Sequence, residues 1–466
     1  MKLLIPLLLV AALSGCAALD PGQPALATLQ ADQAGLKDGT ISWPTEQWWQ
    51  RYRDPQLDQL IVEALAGSPS LAAAQARLNM ANAAVGGARA IQLPQLNVNY
   101  NMVRERFSEN YIYPPPYGGS MQTDNTLRLD LGFDLDLWGR NRARYAAAVS
   151  QKDASIADLQ VARNTLVSGV VQSYFNLQNA LSQVTVITQI VKQLENVSSI
   201  TRQRVTAGLD TEVEVNQADS AVSSARVQLS QANTNATLLR NQIAALTGAG
   251  PQRGQGIRQA KLSTAPRGVP ASIPFELLGR RPDIVAAKYR VQASSSQISA
   301  AKAEFFPNIN LSAFAGFMSL GLGNLLQSGS QVYGVGPAIS LPIFHGGALN
   351  ANLSTRKAER DVAIANYNQT LLTAVREVAD ATAAIQALQQ QTVDQAASLR
   401  AITSAYDIAV KRYKSGLGNF VQVLLAQNEV QKQAILNADM RARAYNLDAQ
   451  LATALGGGYS TDTNTH

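Results

Sequence analysis

The sequence predicts a mixed fold in which long α-helices form a coiled-coil barrel and four strands per chain join a membrane β-barrel. One observation is an internal duplication: Pro69–Asn97 matches Pro282–Asn310 at an offset of 213 residues, and Arg204–Val215 matches Arg412–Val423 at an offset of 208. The others are segments that alternate apolar and polar residues, and two proline-free stretches of about 70 residues with apolar residues every three or four positions. A chain that uses one large unit twice is typical of rings, tubes and transporters.

The composition of the 466-residue chain argues against several classes of function. The formal net charge is only +6 and the basic residues form no clustered stripe, so no nucleic-acid-binding surface is expected. The chain has two histidines and a single cysteine, Cys16. We therefore expect no metal site of the usual cysteine and histidine type, no disulfide framework and no cysteine nucleophile with its base. The sequence predicts that the protein is not an enzyme and holds no cofactor.

The N-terminus resembles the signal peptide of a bacterial lipoprotein. A positive residue is followed by the apolar run Leu3–Leu13, which is too short to span a membrane as a helix, and the run ends in Leu-Ser-Gly-Cys. We predict a signal peptide over residues 1–15, lipidation of Cys16 and a lipid-anchored segment over residues 16–56. The alternative is an ordinary signal peptide cleaved nearby. Ala17 follows the cysteine, which by resemblance to enterobacterial lipoproteins implies export to the outer membrane.

The strand pattern is clearest over Leu127–Leu137, where every second residue is leucine or phenylalanine. This length suits a tilted membrane strand, which needs about 9–11 residues. Similar alternation begins at Leu96, Ile309 and Val335. The alternative is a half-buried sheet of a soluble protein, but carboxylates on the second face of the first segment favour a water-filled lumen. The predicted lumen-facing residues are Arg128, Asp130, Asp134 and Asp136.

These segments predict two β-hairpins, over residues 95–137 and 307–344, with turn-rich sequences at their tips. Apart from the N-terminal run, no stretch suits a transmembrane helix, so a membrane crossing requires strands closed into a barrel. Four strands are too few, because the smallest known barrels have about eight. The chain must therefore oligomerise to remove its open edges, and a trimer would supply twelve strands.

The rest of the chain is predicted to be helical. Long helical hairpins are expected over residues 138–247 and 345–456, and shorter helical segments over residues 57–94 and 274–306. At about 1.5 Å per residue, the longest helices would measure roughly 100 Å, and the shorter ones add up to a similar length. These lengths predict a helical tube of uniform height. The remaining segments are an inter-repeat linker over residues 248–273 and a flexible tail over residues 457–466.

Each long hairpin turns at an Arg-x-x-x-Gly-Leu sequence. Glycine just past a helix end predicts an ordinary C-cap turn, but the recurrence of the arginine and leucine favours a second role. The residues are Arg204, Gly208 and Leu209 in the first hairpin, and Arg412, Gly416 and Leu417 in the second. Acidic residues follow the first turn, where they form an acidic pore ring or are favourable charges at a helix start. They are Asp210, Glu212 and Glu214.

Five motifs resemble the TolC-like outer-membrane factors, in particular the NodT/OprM-type lipoprotein branch that serves resistance-nodulation-division efflux. They occur in the family's order and the resemblance covers nearly the whole mature chain. The motifs are WWQRYRDPQLDQLIVEAL from Trp48, DLDLWGR from Asp134, GRRPDI from Gly279, AKAEFFPNINL from Ala301 and IFHGG from Ile343.

The resemblance implies a homotrimer whose twelve-stranded outer-membrane barrel continues as a long periplasmic α-helical barrel. Such a channel is the exit duct of a tripartite drug-efflux pump, and its partners are a periplasmic adaptor and an inner-membrane pump. We expect the hairpin turns to dock the adaptor and the neighbouring acids to gate the pore. Gln422 and Leu425 are further pore or gate candidates, because they stand where some relatives carry carboxylates, although the second hairpin lacks those acids.

Other functions remain as alternatives. Type I protein secretion and metal-ion efflux use channels of the same family; the lipidation motif argues against the first, and six methionines without clustering argue against the second. A periplasmic adaptor lipoprotein also has a helical hairpin, but it has one hairpin rather than two. The expected location is the bacterial outer membrane, with a lipid anchor and an extension into the periplasm.

Overall fold

The computed structural model describes residues 26–37, 41–261 and 273–460. Cys16 lies outside the described residues, as do the signal peptide, residues 262–272 of the predicted linker and residues 461–466 of the predicted tail. The α-helices are α1 (Pro55–Gly67), α2 (Pro69–Ala90), α3 (Arg140–Thr206), α4 (Glu212–Leu246), α5 (Pro251–Gln255), α6 (Leu277–Arg280), α7 (Pro282–Ala303), α8 (Ala348–Lys414) and α9 (Phe420–Ala454). The strands are β1 (Gln95–Arg106), β2 (Met121–Asp134), β3 (Asn308–Leu320) and β4 (Gln331–Ser340). No helix within these described ranges is both long enough and apolar enough to cross a membrane.

The internal duplication is visible in the lengths of the helices. The helices α3 and α8 each have 67 residues, α4 and α9 each have 35, and α2 and α7 each have 22. Corresponding helices therefore keep one length although their sequences have diverged. The chain forms two compact units, of which the first consists mainly of Arg77–Ile156 and Ala286–Asn368, and the second of Leu29–Ala76, Ala157–Val285 and Gln369–His466.

The first unit contains an antiparallel sheet with the strand order β1-β2-β3-β4. Its register places Val98 opposite Leu129, Leu129 opposite Ala315, and Ala315 opposite Tyr333. Since directly opposed residues share a face, apolar side chains line one face across all four strands. We call this the apolar face, and we call the other the polar face, where Asn99 lies opposite Arg128. The alternation predicted from the sequence is confirmed.

The strand β2 does not coincide with the segment that the pattern predicted. It begins six residues before Leu127, at Met121, and ends at Asp134, three residues before Leu137. The prediction that Asp136 is a lumen-facing strand residue is wrong. Its backbone has a φ of +46°, and its carboxylate accepts hydrogen bonds from the backbone N–H groups of Asn141 at 2.8 Å and Arg142 at 2.9 Å. Asp136 therefore satisfies free N–H groups at the start of α3.

The second unit has a core in which the N-terminal segment packs against helices of both repeats. Trp48 and Trp49 lie in a short 3₁₀ turn and are buried together with leucines of α1 and aromatic residues of α3. The Tyr52 hydroxyl donates a hydrogen bond of 2.7 Å to Asp448, a fully buried carboxylate of α9 that also pairs with Arg51 at 2.9 Å. The segment that follows the predicted lipid anchor is thus held by buried polar contacts as well as by apolar packing.

Two glycines place the ends of α4 and α9 against equivalent partners. Gly248 follows α4 with a φ of +74°, and a Cβ atom there would lie 2.1 Å from the Gly67 carbonyl oxygen at the end of α1. Gly456 follows α9 with a φ of +98°, and its Cβ atom would lie 1.8 Å from the Arg280 carbonyl oxygen at the end of α6. Only glycine fits such a close backbone approach with positive φ. The duplicated chain uses the same joint in both repeats.

Candidate functional site at the helical hairpin tips

The two predicted hairpin turns have the same hydrogen-bonding pattern. In the first, the N–H of Gly208 donates to the Val205 carbonyl at 2.9 Å, and the N–H of Leu209 donates to the Arg204 carbonyl at 2.9 Å. In the second, the corresponding distances from Gly416 and Leu417 are 3.1 Å and 2.8 Å. This pair of bonds is the Schellman motif, in which the glycine at the helix end takes a left-handed conformation.

The glycines are required by the geometry of these turns. Gly208 has a φ of +71° and Gly416 a φ of +73°, values that residues with a side chain adopt only at an energetic cost. The leucines that follow them are largely exposed, Leu209 at 63% and Leu417 at 71% of their accessible surface. The Arg-x-x-x-Gly-Leu sequence is therefore a helix stop that presents an apolar side chain at each tip.

Arg204 does not lie on the surface of the tip as its predicted docking role requires. Its side chain is only 13% exposed and pairs with Asp210, with Nε 2.8 Å and Nη2 3.2 Å from the two carboxylate oxygens. Nη1 donates to the Tyr413 carbonyl at 3.0 Å, and the guanidinium lies over the Tyr413 ring at 4.6 Å. The structure does not support a direct contact between Arg204 and a partner, because these donors are used within the chain.

Tyr413 joins the two hairpins at this point. The side chain is 1% exposed, and its hydroxyl lies 2.5 Å from Asp210 Oδ2 and 3.2 Å from Thr201 Oγ1. Thr201 and Arg204 belong to the end of α3, whereas Tyr413 belongs to the end of α8. We call Thr201, Arg204, Asp210 and Tyr413 the tip cluster. It links the end of one repeat to the end of the other through hydrogen bonds, an ion pair and a cation–π contact.

The electrostatics of the tip cluster favour its charged pair. Hydrogen bonds from Arg204 lower the pKa of the Asp210 carboxyl below its ordinary value, and the Tyr413 hydroxyl contributes in the same direction. The same pairing raises the pKa of Arg204. Burial, reinforced by the neighbouring carboxylate, raises the pKa of Tyr413. At neutral pH the carboxylate is ionised and the phenol is protonated, so Asp210 accepts hydrogen bonds from both Arg204 and Tyr413.

The acids proposed for a pore ring have different environments. Asp210 is 11% exposed and occupied by the tip cluster, so the structure does not support it as a free pore acid. Glu214 accepts hydrogen bonds from the Thr211 backbone and hydroxyl at 2.9 Å and 2.5 Å, completing a capping box at the start of α4. These bonds lower the pKa of Glu214. These contacts favour the interpretation of Glu214 as a charge at a helix start, and Glu212 is an exposed acid in the same turn.

The second tip differs from the first in its side-chain contacts. Arg412, the counterpart of Arg204, is exposed and donates to the Leu417 carbonyl at 3.2 Å within its own turn. Asn419 caps α9 by accepting from the backbone N–H of Gln422 at 3.1 Å. Leu425 is 65% exposed on the same helix. The second tip therefore offers an arginine and apolar side chains to solvent rather than a buried ion pair.

Sequence reasoning did not identify Tyr413, because the duplication gives no signal for it. At the offset of 208 residues, Tyr413 corresponds to Val205 and Asp210 corresponds to Gly418. The tip cluster thus exists once per chain, between two turns that are otherwise equivalent. The signal that could have identified Tyr413 and its contact with Asp210 is that both positions differ between the two repeats.

A second set of predicted residues lies on the polar face of the sheet. Arg128 Nε is 2.7 Å from Asp130 Oδ1, and Asn99 Nδ2 donates to Asp130 Oδ2 at 2.9 Å. Asp134 is the last residue of β2 and accepts a hydrogen bond of 2.7 Å from Arg140, so it lies at the end of its strand rather than along the middle. Three of the four predicted lumen residues therefore lie on one face, and Asp136 does not.

Comparison with known proteins identifies the family. Residues 60–249 and 273–457 match the outer membrane efflux protein family. The chain is also 32% identical, over 461 residues, to the multidrug resistance outer membrane protein MdtP of Escherichia coli strain K12, covering 96% of this chain and 94% of MdtP. The chain belongs to the outer membrane efflux protein family.

Solved structures give the same result. The outer membrane protein VceC of Vibrio cholerae is 34% identical, with a TM-score of 0.85 over 90% of this chain and 100% of that one. The CmeC outer membrane channel of Campylobacter jejuni is 25% identical, with a TM-score of 0.87 over 96% of each chain. The predicted resemblance to TolC-like factors is confirmed. The protein is an outer-membrane efflux channel and not an enzyme.

Proposed function

We propose that this chain is one protomer of a homotrimeric exit duct that serves a tripartite drug-efflux pump. In this proposal three four-stranded sheets close into a twelve-stranded barrel, and the helices of the three chains form the periplasmic tube. A periplasmic adaptor docks at the hairpin tips and connects the duct to an inner-membrane transporter. Relatives named for multidrug resistance and for fusaric acid resistance support an organic drug rather than a protein or a metal ion as the cargo.

The observation that carries the proposal is a sheet with two faces and two open edges. Among the described residues, β1 and β4 each pair on one side only, and all 12 residues of β1 are exposed. Exposed strand edges and a continuous apolar face are unfavourable in water. Pairing β1 of one protomer with β4 of the next removes both edges, and lipid covers the apolar face.

This arrangement is testable by cross-linking between strand edges. Cysteine replaces Asn99 in β1 and, one at a time, Gly336, Ala338 or Ser340 in β4, in a Cys16→Ser background that leaves no other cysteine. We expect one of the three pairs to give covalent dimers and trimers on non-reducing gels, because only one register brings the two β-carbons within disulfide range. The single-cysteine proteins are the controls. If all three pairs stay monomeric in membranes that contain the folded protein, edge-to-edge closure is wrong.

The tips supply the second part of the proposal. Leu209 and Leu417 are exposed beside rigid glycine turns, and an apolar residue held on a fixed backbone suits docking of another helical tip. We expect Leu209→Asp and Leu417→Asp to abolish drug resistance while the trimer level remains normal. Leu209→Met and Leu417→Met, which keep apolar side chains, should retain resistance. Suppressor mutations of the aspartate variants should map to the adaptor's hairpin tip. Normal efflux by both aspartate variants would show that the motifs are only turns.

The lipid anchor is the third part. We propose that Cys16 is the acylated first residue of the mature protein, on the basis of the Leu-Ser-Gly-Cys sequence that ends the apolar run. Metabolic labelling with palmitate should mark the wild type and not Cys16→Ser. Equal labelling of both proteins would contradict lipidation at this residue. We expect the unlabelled variant to remain in the outer membrane, because an inserted barrel does not need an anchor.

A further inference from the structure

The charges on the polar face of the sheet are almost all negative. The strand residues on this face include Glu105, Asp124 and Asp130, as their pairing across β1 and β2 shows, and Asp134, which pairs with Asn310 of β3. Arg128 is the only basic residue that the described strands place on this face; Arg104 and Arg106 lie on the other face by register. Asp134 is already paired with Arg140 of α3 at 2.7 Å. On the side that the proposed function assigns to the lumen, each chain therefore presents Glu105, Asp124 and the Arg128–Asp130 pair along the strands.

The position of Arg128 is fixed by its neighbours. Its Nε lies 2.7 Å from Asp130, which Asn99 holds in turn at 2.9 Å. On the other side, the guanidinium lies over the Phe314 ring at 4.9 Å from the ring centre. Phe314 itself lies against Gly334 of β4, where an added Cβ atom would meet the ring at 2.8 Å. The guanidinium is thus held between a carboxylate and an aromatic ring, and it is 40% exposed to solvent.

We propose that Arg128 limits the cation selectivity of the channel by neutralising Asp130 at a fixed point of the lumen wall. This inference rests on the proposed function, since it requires three copies of the polar face around one aqueous pore. Without Arg128, Asp130 would lose its cationic partner and, together with Glu105 and Asp124, would attract cations and repel anions along the barrel. With it, a ring of three guanidinium groups interrupts the acidic wall and lets anionic and zwitterionic solutes pass.

The size of the effect follows from distance and screening. The Debye length is about 10 Å at 0.1 M salt, so each of the three wall charges acts weakly on an ion in the pore, but all three act on the same ion. Removing them should raise the potassium-to-chloride permeability ratio about two- to fourfold. The change should be larger at lower salt, because screening is weaker there.

The experiment is the reversal potential of purified channels in planar bilayers under a potassium chloride gradient. Arg128→Gln should raise the potassium-to-chloride ratio, Asp130→Asn should lower it, and the double variant should return close to the wild type. Arg104→Gln is the matched control, because it removes the same charge from the opposite face and should leave the ratio unchanged. Repeating Arg128→Gln in a Glu212→Gln background tests whether the change arises in the barrel lumen rather than at the hairpin tips. The rise in the potassium-to-chloride ratio should persist in that background.

The outcomes separate this inference from the proposed function. If the wild type forms no conducting channels in the bilayer, the proposed exit duct is wrong. If all variants conduct but Arg128→Gln and Asp130→Asn leave the ratio unchanged, the duct stands and the role of Arg128 is wrong. An equal change of the potassium-to-chloride ratio in Arg104→Gln and Arg128→Gln would also overturn the role of Arg128, because the effect would then not depend on which face of the sheet carries the charge.

Discussion

The tip cluster predicts a measurable effect of removing a single oxygen atom. Tyr413→Phe keeps the buried ring, and with it the contact that the Arg204 guanidinium makes over that ring at 4.6 Å. It removes only the hydroxyl that lies 2.5 Å from Asp210 and 3.2 Å from Thr201. A phenol has one proton to donate, and the shorter distance assigns it to the carboxylate. The variant therefore loses one hydrogen bond to a charged group without opening a cavity.

The magnitude follows from the kind of bond that is lost. A hydrogen bond to a charged partner contributes about 1.5–3 kcal/mol. Asp210 keeps both bonds from Arg204, and Thr201 keeps its bond to the Val197 carbonyl at 3.0 Å, so no other group is left without a partner. Since each 1.4 kcal/mol is about a factor of ten, local opening of the tips should become roughly 10- to 150-fold more frequent.

Native-state hydrogen exchange of the membrane-embedded protein measures this opening directly. We expect faster exchange of amides near the ends of α3 and α8 in Tyr413→Phe, with unchanged exchange in the core around Tyr174. Tyr406→Phe is the control, because Tyr406 is also buried, in the same cluster of side chains, and its hydroxyl makes no hydrogen bond within the described residues. Equal exchange rates in wild type and Tyr413→Phe, or equal effects of both variants, would refute the linking role of the hydroxyl.

Three other predictions follow from the same structure. Because the pKa of Asp210 is lowered in the folded protein, its contribution to tip stability is present above the ordinary carboxyl pKa of about 4 and is lost as the pH falls through the lower folded value. Tip opening in the wild type should therefore approach that of Asp210→Asn only in acid. Hydrogen exchange, corrected for its intrinsic pH dependence, measures this. Leu129→Arg puts a charge on the apolar face, at a cost of about 2–4 kcal/mol per chain near mid-bilayer, and should reduce trimer assembly on gels. Asp130→Asn, on the polar face, should assemble normally. Equal assembly of the two variants would contradict the assigned faces. Gly248→Ala should lower the thermal unfolding temperature because of its positive φ and the carbonyl 2.1 Å from the added Cβ atom, whereas Gly86→Ala, in open space within α2, should leave it unchanged or raise it.

The prediction of strands shows where a sequence pattern stops being informative. Alternation from Leu127 to Asp134 correctly assigned residues to two faces, because adjacent side chains of a strand point to opposite sides. It did not locate the strand ends, since these depend on whether a neighbouring strand supplies hydrogen bonds. The pairing with β3 ends with Asp134 opposite Asn310, and one more backbone hydrogen bond follows, from Leu135 to the Ile309 carbonyl at 3.1 Å. Beyond that point Asp136 is free to turn, and it caps a helix instead.

The sequence by itself determined the repeated architecture of this channel. The duplication, the lengths of the helices and the glycines at both hairpin turns are local properties, set by residue spacing and by the backbone conformations that glycine permits. Only the tertiary structure decided which side chains meet. Tyr413 lies 209 positions from Arg204 in the chain, yet the two are in contact because two separate helices end at the same level. A pattern within either helix contains no information about that meeting, because it depends on how the helices pack together.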